Sequence, residues 1–262
     1  MTVEASRNFG VATKRPMNYN CGSLSAMASG DRPPRDASIR TLTISHDGSE
    51  LAGLIEPDGL SRSVRGGRRL VGVTGTPGAG KSLLAAALVR LLGSRGAQLP
   101  MDGFHLADSE LTHQGLLDLK GAPDTFDAWG YAALLERVRL RSPYTVYAPG
   151  FQRDLEQPIA GAIGIDRDVE VVFSEGNYLL LDRPEWREVR AQFDQVWYVE
   201  CTDERLRLDR LLARHVAFGK SEHEARHWVE RVDEPNARLV EQTRTRADLL
   251  IDLTVWNPQP EH

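Results

Sequence analysis

The sequence lacks several features that would point to particular classes of protein. Its 262 residues include only two cysteines, Cys21 and Cys201, which are too few for a disulfide framework or a zinc site. Such sparse cysteines fit a reducing interior, and we expect a cytoplasmic protein. No hydrophobic run approaches the roughly 18 residues that a membrane-spanning helix needs, so we expect no association with a membrane.

The sequence also lacks an excess of positive charge. It contains 37 acidic and 32 basic residues, which gives a formal net charge of −5. Proteins that bind duplex nucleic acid rely on a large cationic surface, so we do not expect duplex nucleic acid as a partner. Hydrophobic residues make up 41% of the chain and charged residues 26%. This is the composition of an ordinary globular protein, which excludes a collagen and a fully disordered chain.

The pattern of hydrophobic and polar residues changes near residue 66. The first 65 residues have no helical or alternating period, and we expect a largely disordered N-terminal extension with a short strand around residues 41–45. Between residues 66 and 262, strands alternate with helices, which predicts one α/β domain with a mainly parallel sheet. The predicted strands are 70–73, 98–101, 144–148, 169–174, 196–199 and 249–255, and the predicted helices are 82–92, 125–141, 203–216 and 221–232.

Residues 75–82, here called the glycine-rich loop, carry the clearest functional signal. They match the pattern G-x-x-x-x-G-K-[S/T] between a predicted strand and a predicted helix. In such a loop, backbone N–H groups and the helix N terminus face phosphate oxygens. We expect Lys81 to reach the β- and γ-phosphates of a nucleotide and the Ser82 hydroxyl to bind Mg²⁺. The predicted nucleotide-binding residues are Gly75, Thr76, Pro77, Gly78, Ala79, Gly80, Lys81, Ser82 and Leu83.

Two carboxylates follow predicted strands, at the sheet edge where ligands bind in α/β folds. Asp102 is placed to accept the proton of an attacking hydroxyl, as the catalytic Asp of other kinases does. The alternative is that Asp102 and Gly103 simply form a turn. Glu175 ends an apolar strand and is placed to hold Mg²⁺, directly or through a water molecule. The alternative for Glu175 is a charge that favours the start of the next helix.

Taken together, these motifs resemble those of the uridine kinase, phosphoribulokinase and type I pantothenate kinase superfamily of P-loop proteins. The resemblance covers roughly residues 68–255 and includes Pro-Asp-Thr-Phe-Asp at residues 123–127. It implies a three-layer αβα sandwich with a helical lid around residues 203–232, and ATP with Mg²⁺ as the phosphoryl donor. It also implies Asp102 as the catalytic base and a metal supported by Glu175 and Ser82. Because related kinases often dimerise, a homodimer is a further expectation.

Three arginines mark the predicted lid helix. Arg207, Arg210 and Arg214 are spaced so that they share one helix face. A cationic face that closes over the nucleotide would stabilise charge on the transferring phosphoryl group and exclude water. We expect Arg210 and Arg214 in particular to be catalytic. The alternative is a solvated face that pairs with neighbouring acidic residues.

The predicted acceptor pocket departs from the patterns of the family that the chain resembles. Ala148 follows Tyr147 where uridine kinases carry an aspartate, and the histidine of pantothenate and ribulose phosphate kinases is missing from the residues that follow. Arg153 suits an anionic or polyhydroxyl acceptor, or else it pairs with an acidic neighbour, Asp154 or Glu156. The candidate acceptor-binding residues are Asp102, His105, Tyr147, Arg153 and Tyr178.

The sequence therefore favours an ATP-dependent small-molecule kinase that phosphorylates a hydroxyl of a nucleoside, a pantothenate-like acid or a sugar. Two alternatives are a P-loop regulatory ATPase or switch and a non-catalytic nucleotide-binding module. A GTPase-type switch usually carries Asn/Thr-Lys-x-Asp after a strand, and we find no such segment in the right place. A non-catalytic module would be expected to lack one of the charged groups, whereas Lys81, Ser82, Asp102 and Glu175 are all present.

Overall fold

This computed structural model describes residues 39–56 and 67–256, which contain eight strands and eight α-helices. The strands are β1 (Thr41–Thr43), β2 (Arg69–Gly75), β3 (Gly96–Pro100), β4 (Val146–Gln152), β5 (Gln157–Ile165), β6 (Val171–Glu175), β7 (Gln195–Glu200) and β8 (Leu249–Asp252). The helices are α1 (Leu51–Ile55), α2 (Lys81–Leu92), α3 (Asp108–Gln114), α4 (Ala128–Arg139), α5 (Pro184–Ala191), α6 (Glu204–Ala217), α7 (Glu222–Trp228) and α8 (Glu234–Glu241). None of these helices is long and apolar enough to cross a membrane.

Six of the strands form one parallel sheet in the order β1-β8-β7-β2-β6-β3. All seven residues of β2 are buried, as expected for a central strand of a parallel sheet that is covered on both faces. In the register of the sheet, Glu175 lies beside Val73 on one neighbour and beside Pro100 on the other. The three strands therefore end side by side at one edge of the sheet.

Helices cover both faces of this sheet. Adjacent residues of β2 point to opposite faces, so that Leu70 joins one hydrophobic core and Val71 joins the other. On the Leu70 face the core is completed by α4, α5 and α8, and on the Val71 face by α1 and α2. This arrangement confirms the predicted three-layer αβα sandwich with a parallel sheet.

The predicted strand at residues 144–148 lies outside the main sheet. It forms β4, which pairs with β5 as a separate antiparallel two-stranded sheet. The burial of β4 alternates, because Val146 and Ala148 face inward while Tyr147 faces solvent. β5 was not predicted from the sequence, since Pro, Ala and Gly make up five of its nine residues, have low β propensity and interrupt its isoleucines.

Part of the predicted N-terminal extension belongs to the domain. β1 lies within the strand expected around residues 41–45 and pairs with β8, with Thr41 beside Leu250. Leu51 and Leu54 of α1 are buried in the same core as α2. Residues 41–55 therefore pack with the domain, which was expected to begin at residue 66. Elements of three and five residues are too short to show a period in the sequence. Residues 1–38 and 57–66 lie outside the described part of the chain.

Arg68 ties the start of β2 to two neighbouring segments. Its guanidinium is fully buried and donates hydrogen bonds to the carbonyl oxygens of Val138 at 2.8 Å, Val169 at 3.0 Å and Asp166 at 2.5 Å. Val138 belongs to α4, and the other two residues lie between β5 and β6. The side chain thus donates to three backbone carbonyl groups, two of which, those of Val138 and Asp166, also accept from a backbone N–H group.

We expect Arg68→Met to lower the free energy of unfolding by about 3 kcal/mol, because it removes three hydrogen bonds of a buried guanidinium at about 1 kcal/mol each. Urea unfolding followed by circular dichroism measures this change. The exposed Arg167→Met is the matched control, with an expected change below about 0.5 kcal/mol. Equal stabilities of the two variants would contradict the role given to Arg68.

Candidate active site

A cavity of about 1090 Å³ opens at the edge of the sheet where β2, β6 and β3 end. The glycine-rich loop and the segments from α6 to α8 both contribute to its wall. Both predicted carboxylates, Asp102 and Glu175, line the cavity together with Lys81 and Ser82. The residues that the sequence analysis placed at strand ends are therefore brought to one site.

The glycine-rich loop adopts a conformation that depends on its glycines. Gly75 and Gly78 have φ angles of +148° and +83°, which side-chain-bearing residues rarely adopt. A Cβ atom on Gly75 would lie 2.1 Å from the carbonyl oxygen of Val199, and one on Gly78 would lie 2.7 Å from that of Arg207. The loop therefore curls closely between β7 and α6, and only glycine fits at these two positions.

Lys81 opens α2 and is buried under the loop. Its Nζ donates hydrogen bonds of 2.9 Å to the carbonyl oxygens of Gly75 and Thr76. Burial lowers the pKa of Lys81 to about 8, and the nearby carboxylate of Glu175 opposes that shift. An anion in the cavity would favour the protonated form of this lysine.

The nine predicted nucleotide-binding residues fall into two groups. Six of them line the cavity: Pro77, Gly78, Gly80, Lys81, Ser82 and Leu83. The other three shape the loop without lining the cavity. Gly75 and Thr76 supply the carbonyls that hold Lys81, and Ala79 is buried in the hydrophobic core on the α2 face.

Glu175 and Ser82 form the part of the site that suits a divalent cation. Burial, together with the charge of Asp102, raises the pKa of Glu175 to about 7, while Lys81 and a hydrogen bond from Ser82 oppose this rise. A hydroxyl and a carboxylate are oxygen ligands of the kind that Mg²⁺ prefers. Within the described ranges, there is no group of three or more His, Cys, Asp or Glu side chains that could hold a metal ion. A cation held here would therefore take further ligands from phosphate and water.

Asp102 lies in a short 3₁₀ turn, Met101–Phe104, directly after β3. Its carboxylate forms an ion pair with Arg153, with Nη2 and Oδ2 3.3 Å apart. The sequence left open whether Arg153 binds the acceptor or pairs with Asp154 or Glu156, and the structure pairs it with Asp102 instead of either neighbour. Arg153 reaches the cavity because the turn between β4 and β5 lies beside Asp102.

His105 forms part of the cavity wall beyond Asp102. Its ring lies 3.9 Å from the ring of Phe126 and 5.1 Å from that of Phe151, centroid to centroid. Burial lowers the pKa of His105 to about 4, so the imidazole is neutral near pH 7. The predicted contact of His105 with an acceptor is compatible with this position, as a neutral polar group on an aromatic wall.

The two tyrosines that were expected to bind the acceptor do not line the cavity. Tyr147 is 62% exposed and lies on the outer face of β4, because its neighbours Val146 and Ala148 take the inward positions. Tyr178 is fully buried and donates a hydrogen bond to the carbonyl of Gly121, which itself lines the cavity. Direct contact of either tyrosine with the acceptor therefore stays a prediction from the sequence, without support from the lining of the cavity.

The lid arginines also separate into two kinds. Arg210 and Arg214 line the cavity, and the charge of Arg214 lies close enough to Lys81 to lower the pKa of that lysine. Arg207 is only 2% exposed and donates a hydrogen bond of 3.0 Å to the carbonyl oxygen of Pro77. Of the three arginines, Arg210 and Arg214 therefore line the cavity, whereas Arg207 packs against the loop backbone.

Known proteins are similar to this chain in sequence and in fold. The chain is 31% identical over 195 residues to "Putative uridine kinase C227.14" of Schizosaccharomyces pombe, a match that covers 70% of this chain and 83% of the yeast protein. It is 32% identical over 193 residues to the uncharacterised protein YggC of Escherichia coli, with coverages of 71% and 78%. The chain belongs to the uridine kinase-like P-loop kinases. No family model matches it.

A crystal structure supports the placement of this P-loop kinase in the family. The "putative fructose transport system kinase" from Silicibacter sp. TM1040 superposes with a TM-score of 0.68 at 36% identity. The match covers 76% of this chain and 98% of that protein. P-loop kinases of this family use ATP with Mg²⁺ as the phosphoryl donor, and the oxygen ligands of Ser82 and Glu175 fit that metal.

Several cavity residues of this P-loop kinase were not predicted from its sequence. Asp233 lies at the end of a π-helical turn, Val229–Asp233, which joins α7 to α8, and its carboxylate contacts His215 of α6 at 2.7 Å. Such a turn inserts an extra residue into the helix and redirects the following side chains. No feature of the local sequence predicts this π-helical turn. The apolar wall formed by Phe151 and Phe218 depends on tertiary packing in the same way.

The buried guanidinium of Arg207 has partners on three elements. Besides Pro77, its guanidinium pairs with Glu204 at 2.6 Å and with Glu234 at 2.5 Å. It thereby joins the glycine-rich loop, α6 and α8. We expect Arg207→Met to lower the free energy of unfolding by about 2 kcal/mol, because the hydrogen bonds of its buried guanidinium to Pro77 and to the partly exposed Glu234 are lost at about 1 kcal/mol each.

Urea unfolding measures this loss, and the exposed neighbour Arg205→Met is the control. An unfolding free energy of the Arg207 variant within about 0.5 kcal/mol of the parent value would show that this cluster does not support the loop.

Proposed function

We propose that the protein is an ATP-dependent kinase that transfers the γ-phosphoryl group to a hydroxyl of a small acceptor. One observation carries the proposal: a single cavity holds a phosphate-binding loop, an oxygen pair suited to Mg²⁺ and a separate carboxylate. A protein that only binds nucleotide needs the phosphate-binding loop but does not need the separate carboxylate.

The nucleotide end of the cavity is formed by the glycine-rich loop and the start of α2. Backbone N–H groups of the loop and the helix N terminus favour phosphate oxygens. Lys81 would exchange its hydrogen bonds to loop carbonyls for bonds to the β- and γ-phosphates. Ser82 and Glu175 would hold Mg²⁺, which offsets phosphate charge when it is bound.

Asp102 is the residue we propose as general base. It accepts the proton of the acceptor hydroxyl while that oxygen forms a bond to the γ-phosphorus and the bond to the ADP oxygen breaks. The negative charge on the transferring group is offset by Lys81 and by the two cavity arginines of α6, Arg210 and Arg214. These side chains come from separate elements, which lets closure of the α6 segment complete the site.

The acceptor end of the cavity combines aromatic and charged groups. Phe126 and Phe151 provide aromatic surface beside the neutral imidazole of His105, and Arg153 and Lys120 provide positive charge. We infer an acceptor with a compact body and several hydroxyl or anionic groups, since the planar guanidinium of Arg153 suits such groups. Nucleosides, pantothenate-like acids and sugars all meet this description.

A screen for acceptor-dependent ADP release over these three classes of compound tests the proposal. We expect one class to raise ADP release well above the rate with ATP alone. ADP release that no acceptor stimulates would favour the alternative, a regulatory ATPase. Failure of the protein to bind ATP with Mg²⁺ would contradict both.

The role of Asp102 has its own test. We expect Asp102→Asn to lower kcat by about a hundredfold or more, because general-base catalysis contributes at least that factor. The affinity for ATP should stay near the parent value, since Asp102 faces the acceptor. Asp124→Asn is the control, as an exposed aspartate outside the cavity whose partner is Arg183. Turnover of the Asp102 variant close to the parent rate would remove the residue from this role.

A further inference from the structure

The ion pair between Asp102 and Arg153 couples the proposed base to the two-stranded sheet. Asp102 follows β3, whereas Arg153 lies in the turn between β4 and β5. The two side chains remain 33% and 37% exposed, and both line the cavity. The partner of the proposed base is therefore a group that a ligand entering the cavity can reach.

Two aromatic rings hold the guanidinium of Arg153 in this position. Its Cζ lies 5.9 Å from the ring centre of Phe151 at the end of β4 and 5.2 Å from that of Phe218, which follows α6. Such cation–π contacts restrict a side chain that would otherwise be mobile. In the described part of the chain, its one ion pair is with Asp102, although Asp154 and Glu156 lie in the same turn.

The guanidinium of Arg153 lies 3.3 Å from Oδ2 of Asp102 and so occupies one approach to the carboxylate that would accept a proton. We propose that Arg153 is a positioning residue that restrains Asp102 when no acceptor is bound and so limits the transfer of the γ-phosphoryl group to water. This inference rests on the proposed kinase function.

The reaction that Arg153 limits is hydrolysis of ATP. A water oxygen forms a bond to the γ-phosphorus, the bond to the ADP oxygen breaks with its electron pair going to ADP, and the water proton passes to Asp102. An acceptor that offers its own polar or anionic group to Arg153 separates the ion pair and releases Asp102 for the acceptor hydroxyl. Ion pairs this exposed are weak, so binding of an acceptor is enough to separate them.

Hydrolysis of ATP in the absence of any acceptor tests the inference, because the acceptor need not be known. We expect Arg153→Gln to raise the rate about fivefold, which is the factor corresponding to an exposed ion pair. Arg153→Lys keeps the charge and should stay closer to the parent. Arg187→Gln is the matched control, since it breaks an exposed arginine–aspartate pair with Asp182 outside the cavity.

The double variant Asp102→Asn with Arg153→Gln shows whether the effect passes through the base. We expect it to lose the increase in hydrolysis. The inference is wrong if Arg153→Gln hydrolyses ATP no faster than the parent, or if the increase persists in the double variant. Binding of a fluorescent ATP analogue, measured on every variant, keeps the two proposals apart. Normal binding with unchanged hydrolysis contradicts the restraint alone, whereas a parent protein that binds no ATP contradicts the kinase function itself.

Discussion

The parallel register of β2, β6 and β3 is the constraint on which the site depends. Because Glu175 lies between Val73 and Pro100, the glycine-rich loop, Glu175 and Asp102 all leave the sheet at the same edge. A slip of one residue would turn Glu175 towards the opposite face of the sheet. The buried cores on both faces prevent that slip, since each accepts only alternate residues of β2 and β6. Packing of the sheet thus fixes the relative positions of the glycine-rich loop, Glu175 and Asp102.

Burial then tunes the charges that the sheet brings together. It lowers the pKa of Lys81 and raises that of Glu175, so both shift towards their neutral forms. Phosphate beside Lys81 and a divalent cation beside Glu175 favour the charged forms instead. The pocket is therefore matched to a ligand that carries negative charge at one point and binds a metal at the next.

The local parts of this site were predictable from sequence, and the parts that depend on tertiary packing were not. The apolar run of β2 and the glycines that follow identify the loop, and the carboxylates after β3 and β6 follow from the parallel sheet. The burial of Arg207 depends on Pro77, which lies far along the chain. The same holds for the antiparallel pairing of β4 with β5, which brings Arg153 to Asp102.

The central claim is that the loop and the two carboxylates act on one bound nucleotide. The most direct measurement is a crystal structure of the protein with Mg²⁺ and a non-hydrolysable ATP analogue. The account predicts the triphosphate along the glycine-rich loop, the metal at Ser82 and Glu175, and the terminal phosphate facing Asp102. Phosphates bound away from Lys81, or a terminal phosphate on the far side of the cavity from Asp102, would contradict it.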